Sequence, residues 1–137
     1  QARLVWAGND LMAFGAMAAW EQRGGAPGKT AWFSGINTSD EAMAALKSGR
    51  LAALAGGHFI TGAWALVMIH DHHRGRDFAD EGLALERSMF TLFNARSADV
   101  FLARFGPQGE PVDYRRYSKV LNPQVRRYAF GFEQLLR

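Results

Sequence analysis

Three stretches of the chain hold residue types that could do chemistry. GGAPGKT (24–30) ends in the order Gly28, Lys29, Thr30 of a phosphate-binding loop, where backbone N–H groups, a lysine and a hydroxyl cradle a nucleotide. HDHHRGRD (70–77) gathers histidines and aspartates, which are zinc-ligand types, with His70 and His73 three residues apart on one helical face. GND (8–10), GIN (35–37) and GGHF (56–59) each set a polar or aromatic side chain just after glycine. Glycine lets another group approach the backbone closely. An asparagine amide both donates and accepts hydrogen bonds, which suits a hydroxyl-bearing ligand. Nucleophilic catalysis has no support: there is no Cys and no G-x-S-x-G elbow, and no spacing selects a set among the Ser, His and Asp residues.

The elements that must position these residues decide among them. LVWAG (4–8) reads as a buried strand, and LMAFGAMAAWEQR as a helix entered through Asn9 or Asp10 and stopped by Gly24. TAWFSGI (30–36) reads as a second strand. GGAPGKT therefore joins a helix to a strand, the reverse of a phosphate loop, and Arg23 stands where the first glycine of that motif belongs. A second helix follows, with Thr38 and Glu41 as a capping box and Gly49 as its stop, and LAALAGG is a third strand. Residues 58–62 read as a loop, AWALVMIHDHHRG (63–75) as an apolar helix ended by Gly75, and 76–87 as a polar connector. SMFTLFNA (88–95) is a fourth strand, and SADVFLARF a helix capped by Ser97. The histidine cluster falls at a helix C-terminus, where cationic side chains favour the dipole, and at the end of that helix away from the strand-end loops. A structural or solvated role is expected for it, with no metal bound.

Alternating strands and helices predict an α/β fold: a three-layer parallel sheet with helices on both faces over residues 1–105. An irregular C-terminal extension, 106–137, packs on it through aromatics such as Tyr114, Tyr117 and Phe130. In such sheets ligands bind beyond the C-terminal ends of the strands, where GND, GIN and GGHF lie. Trp6, Trp20, Trp32 and Trp64 read as core, with sugar stacking left open for Trp64 alone. With 137 residues, 48% of them hydrophobic and 21% charged, the chain reads as one soluble globular domain. No apolar run approaches the ~18 residues of a membrane helix. QARLVW lacks the pattern of a secretory leader and reads as an internal start. The net charge of +3 is concentrated from Arg104 onward, with seven Lys/Arg against three Asp/Glu. This tail reads as a solvated face, and no nucleic-acid partner is expected.

The strand-end loops also carry a family resemblance. VWAGNDLMAFGAMAAW resembles the A-N-D-x-M-A-x-G-A segment of the periplasmic binding proteins of the ribose/galactose (type I) sugar-binding class. SGINTSDEAMAALKSGRLAALAG is similar to their next segment, where a G-[FIY]-D/N turn precedes a helix ending in I-K-x-G-x-[LI]-x-A-T. ITGAWALVMI resembles the x-x-G-x-x-A helix start that follows, and autoinducer-sensing receptors of the same superfamily are similar too. The resemblance implies the second, C-terminal lobe of a protein whose two lobes close on a small ligand, incomplete at its N-terminus. It implies that Asn9 hydrogen-bonds ligand hydroxyls and that Asn37 stands where the family has a ligand-contacting Asp. Gly56 falls where many members carry Gln or Arg, with His58 as a replacement polar contact and Phe59 as an apolar wall. The implied function is binding of a sugar or sugar-like ligand as the substrate-binding component of an ABC importer. The protein would be periplasmic and non-enzymatic, without cofactor, and partnered by a membrane permease. The alternatives are a ligand-sensing receptor lobe coupled to a membrane signalling protein, or the effector domain of a sugar-responsive transcriptional repressor. An isolated lobe could also pair as a homodimer.

Overall fold

The computed structural model describes residues 3–82 and 84–136. The chain forms two compact units, Gln1–Gly57 with Phe90–Gly109, and His58–Met89 with Glu110–Arg137. Among the described residues no helix is long and apolar enough to cross a membrane.

The first unit is α/β. Its sheet runs in the order β1 (Leu4–Trp6), β2 (Trp32–Ile36), β3 (Ala53–Gly56), β4 (Thr91–Phe93). β1, β2 and β3 are parallel and joined by α1 (Asp10–Glu21) and α2 (Asp40–Lys47). β4 pairs antiparallel with β3, so the sheet is mixed where an all-parallel one was expected. One helical crossover would return β4 parallel to β3. The intervening chain instead holds α3 (Thr61–His73) and then a further long connector, and it re-enters reversed. α4 (Ala95–Phe105) follows β4.

Phe33, Gly35, Leu54, Gly56 and Phe93 alternate onto one buried face. α1, α2 and α4 all cover that face. Gly35 lies against the first turn of α1, Gly56 against Thr38, and Phe93 edge-on to Phe101 of α4 at 5.3 Å between ring centroids. Right-handed crossovers in an unreversed strand order keep successive helices on one side. The other face of this sheet shows Leu4, Trp6, Trp32 and Leu92 exposed. Trp6 and Trp32, expected in the core, point outward because Val5 and Phe33 hold the inward positions of their strands.

The helix entries correct the sequence reading in detail. Asn9 caps α1 as expected, its Oδ1 accepting from the Met12 N–H at 2.8 Å. α2 is capped by Ser39 rather than Thr38, with Ser39 Oγ accepting from the Ala42 N–H at 3.2 Å. α4 begins at Ala95 and is capped by Asn94. Ser97 sits three residues in, where it completes a capping box by accepting from the Asn94 N–H at 2.8 Å. GGAPGKT is a helix-to-strand turn. Thr30 Oγ1 accepts from the Trp20 indole N–H at 2.9 Å and from the Ala26 N–H at 2.8 Å, which commits the hydroxyl a nucleotide site would need.

The second unit is built on α3. Its entry is a 3₁₀ turn over His58–Ile60 where a loop was expected. Trp64, Val67 and Asp71 form its buried stripe. Trp64 stacks on Phe130 (4.8 Å, 6° between planes) and takes edge contacts from Tyr117 and Tyr114. A fully buried indole enclosed by the rings of the chain's tail is core and offers no face for sugar stacking.

The tight seat of α1 on β2 gives a direct test. A Cβ at Gly35 would stand 2.9 Å from the Asn9 carbonyl oxygen. Gly35→Ala should push the start of α1 off the sheet and lower stability by about 1–3 kcal/mol in urea unfolding. An unchanged midpoint would show that the approach is not tight.

Candidate ligand-binding site

Asn9 and Asn37 occupy equivalent places in the first unit. Trp6 of β1 is paired with Ser34 of β2, and each asparagine lies three residues beyond its strand's paired residue, at the C-terminal edge of the sheet. Asn9 is half-buried. Its Oδ1 is committed to the α1 cap, so Nδ2 remains as a donor oriented by the helix. Asn37 is exposed and takes φ +117°, the only positive φ outside glycine among the described residues. Its backbone N–H is held by the Ala55 carbonyl at 2.8 Å. Strain of this kind is retained only where the surroundings over-determine it, and it collects at functional sites.

The third strand end contributes differently. A Cβ at Gly56 would stand 2.4 Å from the Thr38 methyl and 3.2 Å from the Phe93 ring, so no side chain fits there. Gly57 follows with φ +98°. His58 and Phe59 then begin the second unit. His58 is half-buried, and Phe59, 49% exposed, meets Phe132 edge-on at 5.6 Å. Asn9 and Asn37 thus follow the ends of the neighbouring strands β1 and β2, and His58 and Phe59 belong to the other unit. The loops 7–10, 36–39 and 56–60 contain Asp10 and no lysine or arginine. They can offer amide, imidazole and backbone groups to neutral hydroxyls but no lysine or arginine to an anionic ligand.

The second unit has a cavity of about 380 Å³ lined by Ala63, Leu66, Val67, Tyr114 and Leu121, with His70, Arg115 and Ser118 also on its wall. None of the four candidate residues lines it, and its apolar wall gives hydroxyl groups few partners.

Beside that cavity lies a polar cluster that sequence reasoning missed. Asp71 is fully buried. It accepts from Ser118 Oγ, from the Lys119 N–H at 2.6 Å and from Tyr128 Oη at 2.9 Å, and it meets His70 Nδ1 at 3.1 Å. Burial pushes its carboxyl up, but these hydrogen bonds outweigh burial and hold it below the ordinary 3.8. Lys119, also buried, pairs with Glu81 at 2.6 Å and with Asp80 at 3.2 Å, and its ammonium lies 4.4 Å from the Tyr128 ring centre. Burial raises Glu81 as well, and Lys119 together with the Tyr128 N–H more than reverses it. Burial and then the bond to Asp71 raise the Tyr128 hydroxyl strongly. The signal for Asp71 was its helical position, seven residues after Trp64 and four after Val67 on the buried stripe. Among the described residues no group of three or more His, Cys, Asp or Glu side chains is arranged to hold a metal ion.

No family model matches the chain, and no curated protein matches it. Among solved structures, a periplasmic sugar-binding protein from Pseudomonas fluorescens is 41% identical over 98% of this chain, with a TM-score of 0.87. The chain spans 42% of that protein's length. A galactofuranose-binding protein matches 74% of the chain at 22% identity and TM-score 0.61, over 33% of its own length. The periplasmic binding protein component of the arabinose ABC transporter from Shewanella sp. ANA-3, bound to α- and β-L-arabinofuranose, matches 77% at 21% identity and TM-score 0.56, over 33% of its own length. The 137 residues fit a partial lobe of this fold.

Two outcomes follow from the geometry. Asn37→Gly should raise stability by about 1 kcal/mol, because glycine takes φ +117° without strain; a lower unfolding midpoint would show that the asparagine side chain is structural. Asp71→Ala should destabilise by about 3–5 kcal/mol, since it strands buried donors. The folded Asp71 carboxyl titrates below its unfolded value, so its contribution is complete above that value and is lost as pH falls through the depressed one. Acid unfolding below pH 3.8 that is blunted in Asp71→Asn would show this, and identical acid curves would refute it.

Proposed function

The chain carries the fold of one lobe of the periplasmic sugar-binding proteins, and we propose that it binds a small, neutral, polyhydroxylated ligand, a sugar or sugar-like molecule. In this reading it is part of the substrate-binding component of an ABC importer, works in the periplasm without catalysis, and has a membrane permease as partner. The observation that carries the reading is the 41% identity to a periplasmic sugar-binding protein across nearly the whole chain. The galactofuranose- and arabinofuranose-binding neighbours support a sugar as ligand, and the second supports an importer.

Asn9 and Asn37 are the proposed ligand contacts of the first unit. Asn9 Nδ2 donates to a ligand hydroxyl, and Asn37, on its strained turn, offers both a donor and an acceptor. His58 and Phe59, directly after β3, are proposed as a further polar contact and an apolar wall. The absence of Lys and Arg from the three loops favours neutral ligands over uronic acids and sugar phosphates.

The test is a thermal-shift titration with neutral aldoses in pyranose- and furanose-rich forms, uronic acids and nucleotides. Neutral aldoses should raise Tm by mass action, and the charged compounds should not. Asn9→Asp separates the two roles of that residue, because a carboxylate still caps α1 but cannot donate. It should weaken binding about tenfold while leaving the ligand-free Tm unchanged or higher. A shift with nucleotides alone, or equal affinity in Asn9→Asp, would remove this reading.

A further inference from the structure

One carboxylate stands in the three strand-end loops, and it is enclosed. Asp10, the first residue of α1, is 3% exposed. Its Oδ1 accepts from the Leu11 N–H at 2.9 Å. Its Oδ2 is buried and has no hydrogen-bond partner, and no ion pair among the described residues includes Asp10. Oδ2 is already closed off from solvent, so a further segment could not reach it without repacking. Acidic residues favour a helix N-terminus, but they do so from the surface, as Asp40 and Glu41 do in the first turn of α2. A carboxylate taken out of water lowers stability unless a partner answers it, so the helix alone gives no reason to bury this one. Nor does α1 leave its first turn open to an anion. The Leu11 N–H is taken by Asp10, the Met12 N–H by Asn9 Oδ1 and the Ala13 N–H by the Asn9 carbonyl.

We propose that Asp10 sets the charge selectivity of the asparagine site: its enclosed, unpaired carboxylate repels anionic sugars and admits neutral ones. The proposal rests on the sugar-binding reading above. Asp10 directly follows Asn9, and successive Cα atoms lie about 3.8 Å apart. An anion held by the Asn9 amide would therefore sit within roughly 10 Å of the carboxylate. At that separation, and at an effective dielectric constant of about 20, the repulsion amounts to about tenfold in affinity. An exposed carboxylate at the same distance is screened by water and salt and does far less. Burial thus serves selectivity where it does not serve the helix. The lack of Lys and Arg in these loops only denies an anion a partner, whereas Asp10 adds the repulsive element that discrimination between similar ligands calls for. A neutral hydroxyl carries no net charge and escapes that repulsion.

Calorimetric titration of the 137-residue chain with matched pairs tests this. Each aldose that raises Tm is paired with the acid that replaces its terminal CH2OH by a carboxylate, as galactose with galacturonate and arabinose with arabinuronate. The neutral sugar should bind at least about tenfold more tightly than its acid. Asp10→Asn keeps the shape and the acceptor for the Leu11 N–H but removes the charge, and it should narrow that ratio about tenfold. A purely structural role would move both ligands together and leave the ratio alone. Asp40→Asn with Glu41→Gln, which removes exposed charges, should change the ratio by less than about twofold. Should circular dichroism show Asp10→Asn unfolded, the parent decides. Its ratio should then fall severalfold between about 0.01 M and about 1 M salt, because rejection by charge is screened and rejection by shape is not, and a ratio indifferent to salt overturns the proposal. A parent ratio near one, an unchanged ratio in folded Asp10→Asn, or a surface variant that narrows the ratio as far as Asp10→Asn also overturns it, and each leaves the sugar reading standing. A chain that binds no aldose removes the sugar reading and the proposal with it.

Discussion

Close approach of backbone at the strand ends is the constraint on which the first unit depends. Gly35 lets the Asn9 carbonyl sit directly on β2, and Gly56 lets the Thr38 methyl sit on β3. A side chain at either place would lift a helix start away from the sheet. Because the helices are seated so low, their first residues fall at the rim of the sheet. Asn9 can then cap α1 and still face outward, and Asn37 must turn through φ +117° to deliver the chain from β2 to Ser39. The same seating explains the shift of the α2 cap. With the Thr38 methyl packed on Gly56, Ser39 provides the oxygen for the first turn.

Much of this was legible in the sequence, and the residues show why. Short apolar runs separated by helices with recognisable caps gave the order of elements. The stops at Gly24, Gly49 and Gly75 all have positive φ, as a helix-ending glycine should. The direction of β4 was not legible, because strand polarity depends on how the chain returns after α3, and local pattern is blind to that. The fates of Trp6 and Trp32 were missed for a related reason. Composition marks a tryptophan as core, but the two-residue period of a strand assigns one face to the helices, and Val5 and Phe33 took it. At the candidate site, Asn9 as a cap followed from residue type, whereas the strain at Asn37 follows from a loop geometry that no residue type announces.

The second unit solves a different problem. Among its described residues there is no strand, and those of its long tail form only short 3₁₀ turns. Irregular backbone of this kind has few ladder bonds to hold it, so side chains must do so. Trp64 supplies the apolar anchor by stacking on Phe130. Asp71, on the same stripe, supplies the polar anchor by gathering three donors from 118–128. Reading HDHH as structural or solvated leaves open which of its residues turns inward; Asp71 points to these donors while His72 and His73 are exposed. A buried carboxylate is tolerable there because Ser118 Oγ, the Lys119 N–H and Tyr128 Oη donate to it, and the Lys119 ammonium is tolerable because Glu81 and Asp80 answer its charge.

In the proposed site the two asparagines would act by different physics. Asn9 is pre-organised: its Oδ1 is fixed by the helix, so the rotamer that presents Nδ2 is already paid for in folding, and a ligand gains the donor with little loss of side-chain entropy. Asn37 is exposed, and what is fixed there is the backbone, its N–H held by the Ala55 carbonyl in a conformation that glycine would adopt more easily. If stability alone governed that position, glycine would be the better residue. In the proposed site that strain would be kept for the side chain, and a neutral amide beside loops without Lys or Arg suits a hydroxyl rather than an anion.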